Sequence, residues 1–479
     1  MEKIRVREME FVDNQGRIRL FHGVNIVCKD KSLGYVYKLS KNEISQLRDL
    51  GFNVVRLGII WDGLEPEPGV YNEEYLGRLE EIVNLCAEHE IYVILDMHQD
   101  LYSVRYSDGA PEWATITDSL PEPSEVAIWS DAYMSPAVMR AFDHFWANDP
   151  APDGIGLQDH FAKCWQIIAR RFKNRPEILG YDLLNEPSPG SLSAHVLSTI
   201  LKTLTQLKII DEAPKSIEEL TKLWSIEDRI EILKKLDDEK TYRKAILAAE
   251  PHLKKFDKET LTRFYERIAK AIRTETPHGI IFLEGNYFSN AGIPSHIDPI
   301  RGEKLQAYSP HIYDLVVDTP YIITHFSERR VKVIAQSHHE TQKRLKMPVI
   351  IGEWGAFGRR KGIKKVCEYL LDTFDELKWS WIYWAWEREF TKTEAARLIA
   401  RPYPEAVAGE LISFSYKNGT FTMKWIADSK TPTIVRLPKE YKWSEITIKP
   451  KTNYEIEEET KRLMIKTAHS GKHILVIKH

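Results

Sequence analysis

A chain of 479 residues, 43% hydrophobic and 29% charged with a net charge of −3, is globular in composition and has no basic field to draw it to nucleic acid or an anionic membrane. No apolar run reaches the ~18 residues of a membrane span, so no transmembrane segment is expected. MEKIRVREMEF lacks the apolar core of a secretory signal, and the scattered Cys28, Cys86, Cys164 and Cys367 show no paired spacing, so reduced thiols and a cytoplasmic location are expected.

Apolar strand patterns alternate with helical ones. LFHGVNI (20–26) is followed by a helix near 44–51 and by FNVVRLGII (52–60). A helix near 75–88 leads to YVILDM (92–97), and one over 158–173 leads to ILGYDLLNE (178–186). A helix over 259–273 precedes GIIFLEG (279–285) and LQAYSPHIY (305–313). Helices near 328–345 and 363–377 flank PVIIGEW (348–354), and WSWIYWAW (379–386) closes the series. Each strand is almost uniformly apolar, which means burial on both faces. Eight such units predict a (β/α)₈ barrel spanning residues 1–395, of the α/β class. An open doubly wound sheet is the rival, but the turn after the first strand reads NIVCKD and has no glycine-rich phosphate loop.

Two insertions leave the C-terminal ends of strands, where barrel enzymes build their sites. Residues 101–157 carry Trp113, Trp129 and Trp146 with little helical period. Residues 188–257 are predicted helical, with capping-box starts at Ser216/Glu219 and Ser225/Asp228. Ile217, Leu220 and Trp224, then Ile226, Ile230 and Leu233, form apolar stripes. From about residue 396 the period changes to two. SFSY-KNGT-FTMKW reads as a hairpin turning at Asn418-Gly419, and short strands follow, predicting a C-terminal β-sandwich over 396–479.

The polar residues of the barrel gather at one end. Arg56 lies on the second strand, Asp96, His98, Gln99 and Asp100 end the third, and Asn185 and Glu186 end the fourth. His311 and Tyr313 end the sixth strand, Glu353 the seventh and Trp386 the eighth. Two acids facing each other across a barrel mouth are the machinery of a retaining glycosidase, in which carboxyl groups about 5–5.5 Å apart serve as nucleophile and acid/base. The two must differ in protonation, and Arg56 is placed to hold one ionised. No third histidine joins His98 and His311 at neighbouring strand ends, so neither a metal nor another cofactor is expected.

The motifs NEP (185–187), GEWG (352–355), HxY (311–313) and RLG (56–58) resemble those of glycoside hydrolase family five in order and spacing. DMHQDLYS (96–103), DGAPEWA (108–114), AFDHFWAN (141–148) and RPYPEAVAG (401–409) are similar to endoglycoceramidases and glucosylceramidase-like relatives, which split sugar from lipid. The resemblance implies Glu186 as acid/base and Glu353 as nucleophile. It further implies Asn185 on the sugar 2-hydroxyl, Tyr313 against the nucleophile, and Lys29, His98, Asp100, His311 and Trp386 around the sugar. The expected substrate is then a carbohydrate or glycolipid, a β-glucoside or β-galactoside with an apolar aglycone. A polysaccharide endo-β-glucanase or mannanase and a catalytically inactive sugar- or lipid-binding barrel are the alternatives. The insertion at 188–257 departs from the resemblance; directly after the acid/base, it is expected to line the aglycone side as a lid, against the alternatives of a helical ornament on the outer rim or a dimer contact.

Overall fold

The computed structural model describes residues 1–123, 126–212, 225–428 and 431–479. The capping box at Ser216/Glu219 and the stripe Ile217, Leu220 and Trp224 lie outside the described residues.

Eight parallel strands form the barrel: His22–Ile26, Val54–Ile60, Tyr92–His98, Ile178–Asp182, Ile280–Leu283, Gln306–Tyr308, Ile350–Ile351 and Ser380–Tyr383. They pair in chain order, and the eighth returns to the first through Trp381 opposite His22. The ring closes between sixth and seventh by a bridge from Tyr308 to Val349, and His311–Ile312 then pairs with Glu353–Trp354. The strands are buried throughout, as their unbroken apolarity requires. The expected helices stand between them, including Glu73–Glu88, Leu157–Phe172, Thr262–Arg273, Glu328–Leu345 and Lys364–Leu377. Among the described residues no helix is long and apolar enough to cross a membrane.

The loop after the third strand is more ordered than its periodicity suggests: Pro136–Ala147 is a helix, with proline in its first turn, where the missing N–H costs nothing. The insertion contains the helices Leu192–Gln206, Ile226–Lys235, Glu239–Leu247 and Glu250–Phe256. Ser225 caps the second of these by accepting from the Asp228 amide, as its sequence predicts.

The C-terminal region forms two antiparallel sheets packed face to face. Gly409–Lys417 and Thr420–Ala427 make the expected hairpin, with Asn418 and Gly419 both at positive φ, as a two-residue turn demands. The larger sheet also recruits the start of the chain. Ile18–Arg19 pairs with Tyr403–Val407, and Glu10–Val12 and Arg5–Arg7 extend the edge. Ile4 and Phe11 from this edge pack on Phe21, Val54, Tyr92 and Ile280, sealing the N-terminal end of the barrel with apolar side chains.

Candidate active site

Inward-facing residues recur every second position along a strand, so each strand can change chemistry along one face. Val54, Ile94 and Phe282 fill the apolar floor. One step up on the same faces stand Arg56, Asp96 and Glu284, joined by Asp182 and Asn25; all five are buried. The barrel is thus an apolar plug below and a charged cluster above.

Arg56 is the hub of that cluster. Its Nε donates to Asp182 (2.9 Å), Nη1 to Glu353 (2.9 Å) and Asn25 (3.1 Å), and Nη2 to Asp96 (2.9 Å), Glu284 (3.0 Å) and Asn185 (3.0 Å). Burial disfavours its charge, but Asp96, Asp182, Glu353 and Glu284 outweigh that and hold the guanidinium cationic. One cation does not neutralise four carboxyls. Burial therefore pushes Asp96 up to about 6 and Asp182 well above the carboxylate range, despite Arg56.

Glu186 lies beyond the paired part of the fourth strand, which ends at Asp182. Its φ of 43° is left-handed, a conformation that disfavours residues with a Cβ, and it swings the carboxyl into the mouth. Its amide donates to Glu284 Oε2 at 2.9 Å, which fixes the turn. Its Oε1 meets His311 Nδ1 at 2.9 Å and accepts from Asn290 Nδ2 at 2.7 Å. Across the mouth, Glu353 Oε2 accepts from Tyr313 Oη at 3.0 Å. Burial pushes the Glu353 carboxyl up to about 8; His311 and Arg56 pull it down, and Glu186 and Glu284 add to the rise. For His311, burial opposes charge, yet Glu284 and Glu353 outweigh it and keep the imidazole well above its usual range. Ligand atoms of Glu186, His311 and Glu353 lie within 4.8 Å of one another, which sets the carboxyls at the spacing of a retaining pair.

The remaining expected residues gather on the opposite wall. The Lys29 ammonium contacts Asp100, lies 3.6 Å from Asp108, and sits 5.0 Å from the centre of the Trp384 ring. It pairs with two carboxylates of the His98, Asp100 and Asp108 cluster, whose spacing could otherwise suit a cation. His98 stacks on Trp384 and bonds Asp96 through Nδ1 (2.9 Å), leaving Nε2 without a hydrogen-bond partner. Burial, reinforced by Lys29, holds His98 well below the usual imidazole range, so Nε2 is free to accept a hydroxyl. Asn185 uses its oxygen on Arg56 and one amide hydrogen on Gln99 O (3.0 Å); the second hydrogen remains. Trp386 is placed differently from the expectation. It packs on Tyr37, and the ring that lines the cavity is Trp384, two residues earlier.

These groups share a cavity of about 410 Å³. Its lining joins Glu186, Glu353, Lys29, His98 and Trp384 to a largely apolar wall. Leu197, Ile200 and Leu204 project from the helix Leu192–Gln206, and Ile232 and Leu233 from Ile226–Lys235, with Leu236 capping its end. Arg330 anchors this wall by donating to Leu233 O, and Arg229 ties it across the mouth to both oxygens of Asp131 (2.7 Å each). Glu284, Asp182 and Asn290 are not among the residues expected from sequence. Glu284 had a signal, since GIIFLEG repeats the design of an apolar strand ending on an acid.

Residues 21–222 and 226–389 match Cellulase (glycosyl hydrolase family 5), and 401–477 match the glycoside hydrolase family 5 C-terminal domain. The chain belongs to this family. With its carboxyl pair, it is an O-glycosyl hydrolase of the retaining, double-displacement type. It is 28% identical to an endoglycoceramidase of Cyanea nozakii over 97% of this chain and 90% of that protein. Endoglycoceramidase I of Rhodococcus hoagii is 26% identical over 88% of this chain and 76% of its own length. Among solved structures, the lactosyl-enzyme intermediate of endo-glycoceramidase II from Rhodococcus sp. superposes with a TM-score of 0.75 at 25% identity, covering 98% of both chains.

Proposed function

We propose that this glycosidase hydrolyses β-glucosides or β-galactosides of lipid-like aglycones, glycosylceramides being the type, with Glu353 as nucleophile and Glu186 as acid/base. One observation carries the reading: a single cavity is lined both by the carboxyl pair and by apolar side chains of the insertion. The endoglycoceramidase relatives support the same aglycone class.

In this reading the bonds from Arg56 and Tyr313 favour negative charge on Glu353, which attacks the anomeric carbon. Glu186 gives its proton to the glycosidic oxygen as the C–O bond breaks, and the aglycone leaves as an alcohol. Glu186 then takes a proton from water, the water oxygen attacks the same carbon, and Glu353 is released. Lys29, His98, Asp100, Asn185 and Trp384 surround the sugar, and the insertion walls the aglycone. An aqueous polysaccharide chain gains nothing from that apolar wall.

The test is a panel of nitrophenyl glycosides, glucosylceramide and soluble glucans with the parent enzyme, Glu353→Gln and Glu186→Ala. Glucosylceramide turnover with little glucan hydrolysis is expected. Glu353→Gln should lose nearly all activity, and Glu186→Ala should retain far more on nitrophenyl glucoside than on glucosylceramide, since an activated leaving group needs little protonation. Preferential glucan hydrolysis would overturn the substrate class, and equal losses on both substrates would remove Glu186 from the acid role.

A further inference from the structure

Glu186 Oε1 receives two donors, and one comes from a residue outside the expected motifs. Asn290 Nδ2 reaches it at 2.7 Å, beside His311 Nδ1 at 2.9 Å. Glu284 and Glu353 hold the His311 imidazole cationic, so both partners donate to Oε1 and the acidic hydrogen is left to Oε2. The segment that delivers Asn290 is braced from three sides. Tyr287 N donates to Pro187 O (2.9 Å), the residue after the acid/base. Asn286 Nδ2 donates to the buried Asp257 at 2.8 Å. Tyr242 of the insertion helix Glu239–Leu247 donates its hydroxyl to Ala291 O at 2.7 Å. Tyr287, Phe288, Asn290 and Ala291 also line the cavity, so one short turn touches the aglycone arm, the insertion and the acid/base together.

We infer that Asn290 is the positioning residue of the acid/base: it orients the Glu186 carboxyl so that Oε2 delivers the proton, and the insertion holds it in place through Tyr242. The inference rests on Glu186 being the acid/base. Asn290 is half-buried on the cavity wall, so its truncation leaves the core intact. The charged and titratable groups facing Glu186 are His311, Glu353, Glu284 and Asp318, with the phenols of Tyr133, Tyr287 and Tyr313; none is altered in the variants below.

A donated hydrogen bond favours the ionised form of the carboxyl that accepts it. In Asn290→Ala the alkaline limb of kcat/KM, which reports the acid in the free enzyme, should move up by about half to one pH unit. With an alkyl glucoside kcat should fall about tenfold, and with nitrophenyl glucoside by less than about threefold, because only the poor leaving group depends on proton delivery. Asn290→Asp replaces the donor by an acid and should move the limb further. Tyr242→Phe, which keeps the ring, should move it the same way by less. An unmoved limb with equal losses on both substrates, or a change in KM alone, overturns the proposal. Glu186→Ala is measured alongside. If it too shows no dependence on the leaving group, the acid/base assignment has failed, not the role of Asn290.

Discussion

Arg56 Nη1 donates to Glu353 Oε1 at 2.9 Å from a side chain with no solvent exposure. The same guanidinium binds Asp96, Asp182 and Glu284, so it positions the proposed nucleophile and compensates the floor beneath it. An ammonium is a point charge and cannot span this fork. Arg56→Lys should lower kcat/KM at least about a hundredfold, because the proposed nucleophile loses its orientation. A loss smaller than tenfold would mean that Tyr313 and His311 suffice to orient Glu353.

The raised Glu353 carboxyl sets the pH response. Glu353 attacks only when ionised, and burial pushes its carboxyl up to about 8. The acidic limb of kcat/KM should therefore lie above pH 6, well clear of the ordinary carboxylate range near about 4.3. Stability follows with a definite sign. The folded state holds this proton more tightly than the unfolded chain, so this group costs stability as pH rises from about 4.3 toward 8. Glu353→Gln is neutral at every pH and removes that cost. Its melting temperature should exceed the parent's by more at pH 8 than at pH 5; a constant difference would place the shift elsewhere in the cluster.

The apolar arm can be tested without removing the insertion. Leu197 and Ile200 stand three residues apart, half-buried, with their side chains on the cavity. Ile200→Glu puts a charge there without opening the core. KM for a lipid glucoside should rise about tenfold or more, equivalent to about 1.4 kcal/mol, while nitrophenyl glucoside changes less than about twofold. Equal effects would move the insertion from the binding arm to the outer rim.

Glu405 ties the sandwich together. It is buried among Arg436, Arg462 and Arg19, and although burial opposes its charge, these cations hold its carboxyl well below the usual range. Its contribution is present above the unfolded value near about 4.3 and is lost as pH falls below it. Glu405→Gln should cost about 3–5 kcal/mol at pH 7 by stranding buried arginines. The gap to the parent should narrow at pH 3. Urea melts at both pH values measure it, and a pH-independent gap would refute the electrostatic account.

The barrel was legible because a strand buried on both faces leaves an unbroken apolar run, and all eight runs are strands. Glu186 and Glu353 stood out because an acid ending such a run has no place in a core. Trp384 was harder to tell from Trp386. Both share the parity of the inward-facing Ile382, and only the end of the ladder at Tyr383 decides which ring turns into the mouth. Asn290 left no local trace, since its meaning lies in a contact 104 positions away. The first strands, three residues or fewer, are too short to display a period of two.

Those short strands have a consequence for biogenesis. Arg19 and Glu405 meet across 386 positions, so the larger sheet draws strands from both sides of the barrel in sequence. On a ribosome Ile18–Arg19 emerges long before its partner Tyr403–Val407 exists, and its edge waits unpaired while the barrel between them is made. Closing so long a loop is slow unless the intervening chain has already compacted. The barrel therefore acts as the clasp that brings its flanking segments together, and the sheet is the seam that locks once the strands beyond the barrel arrive.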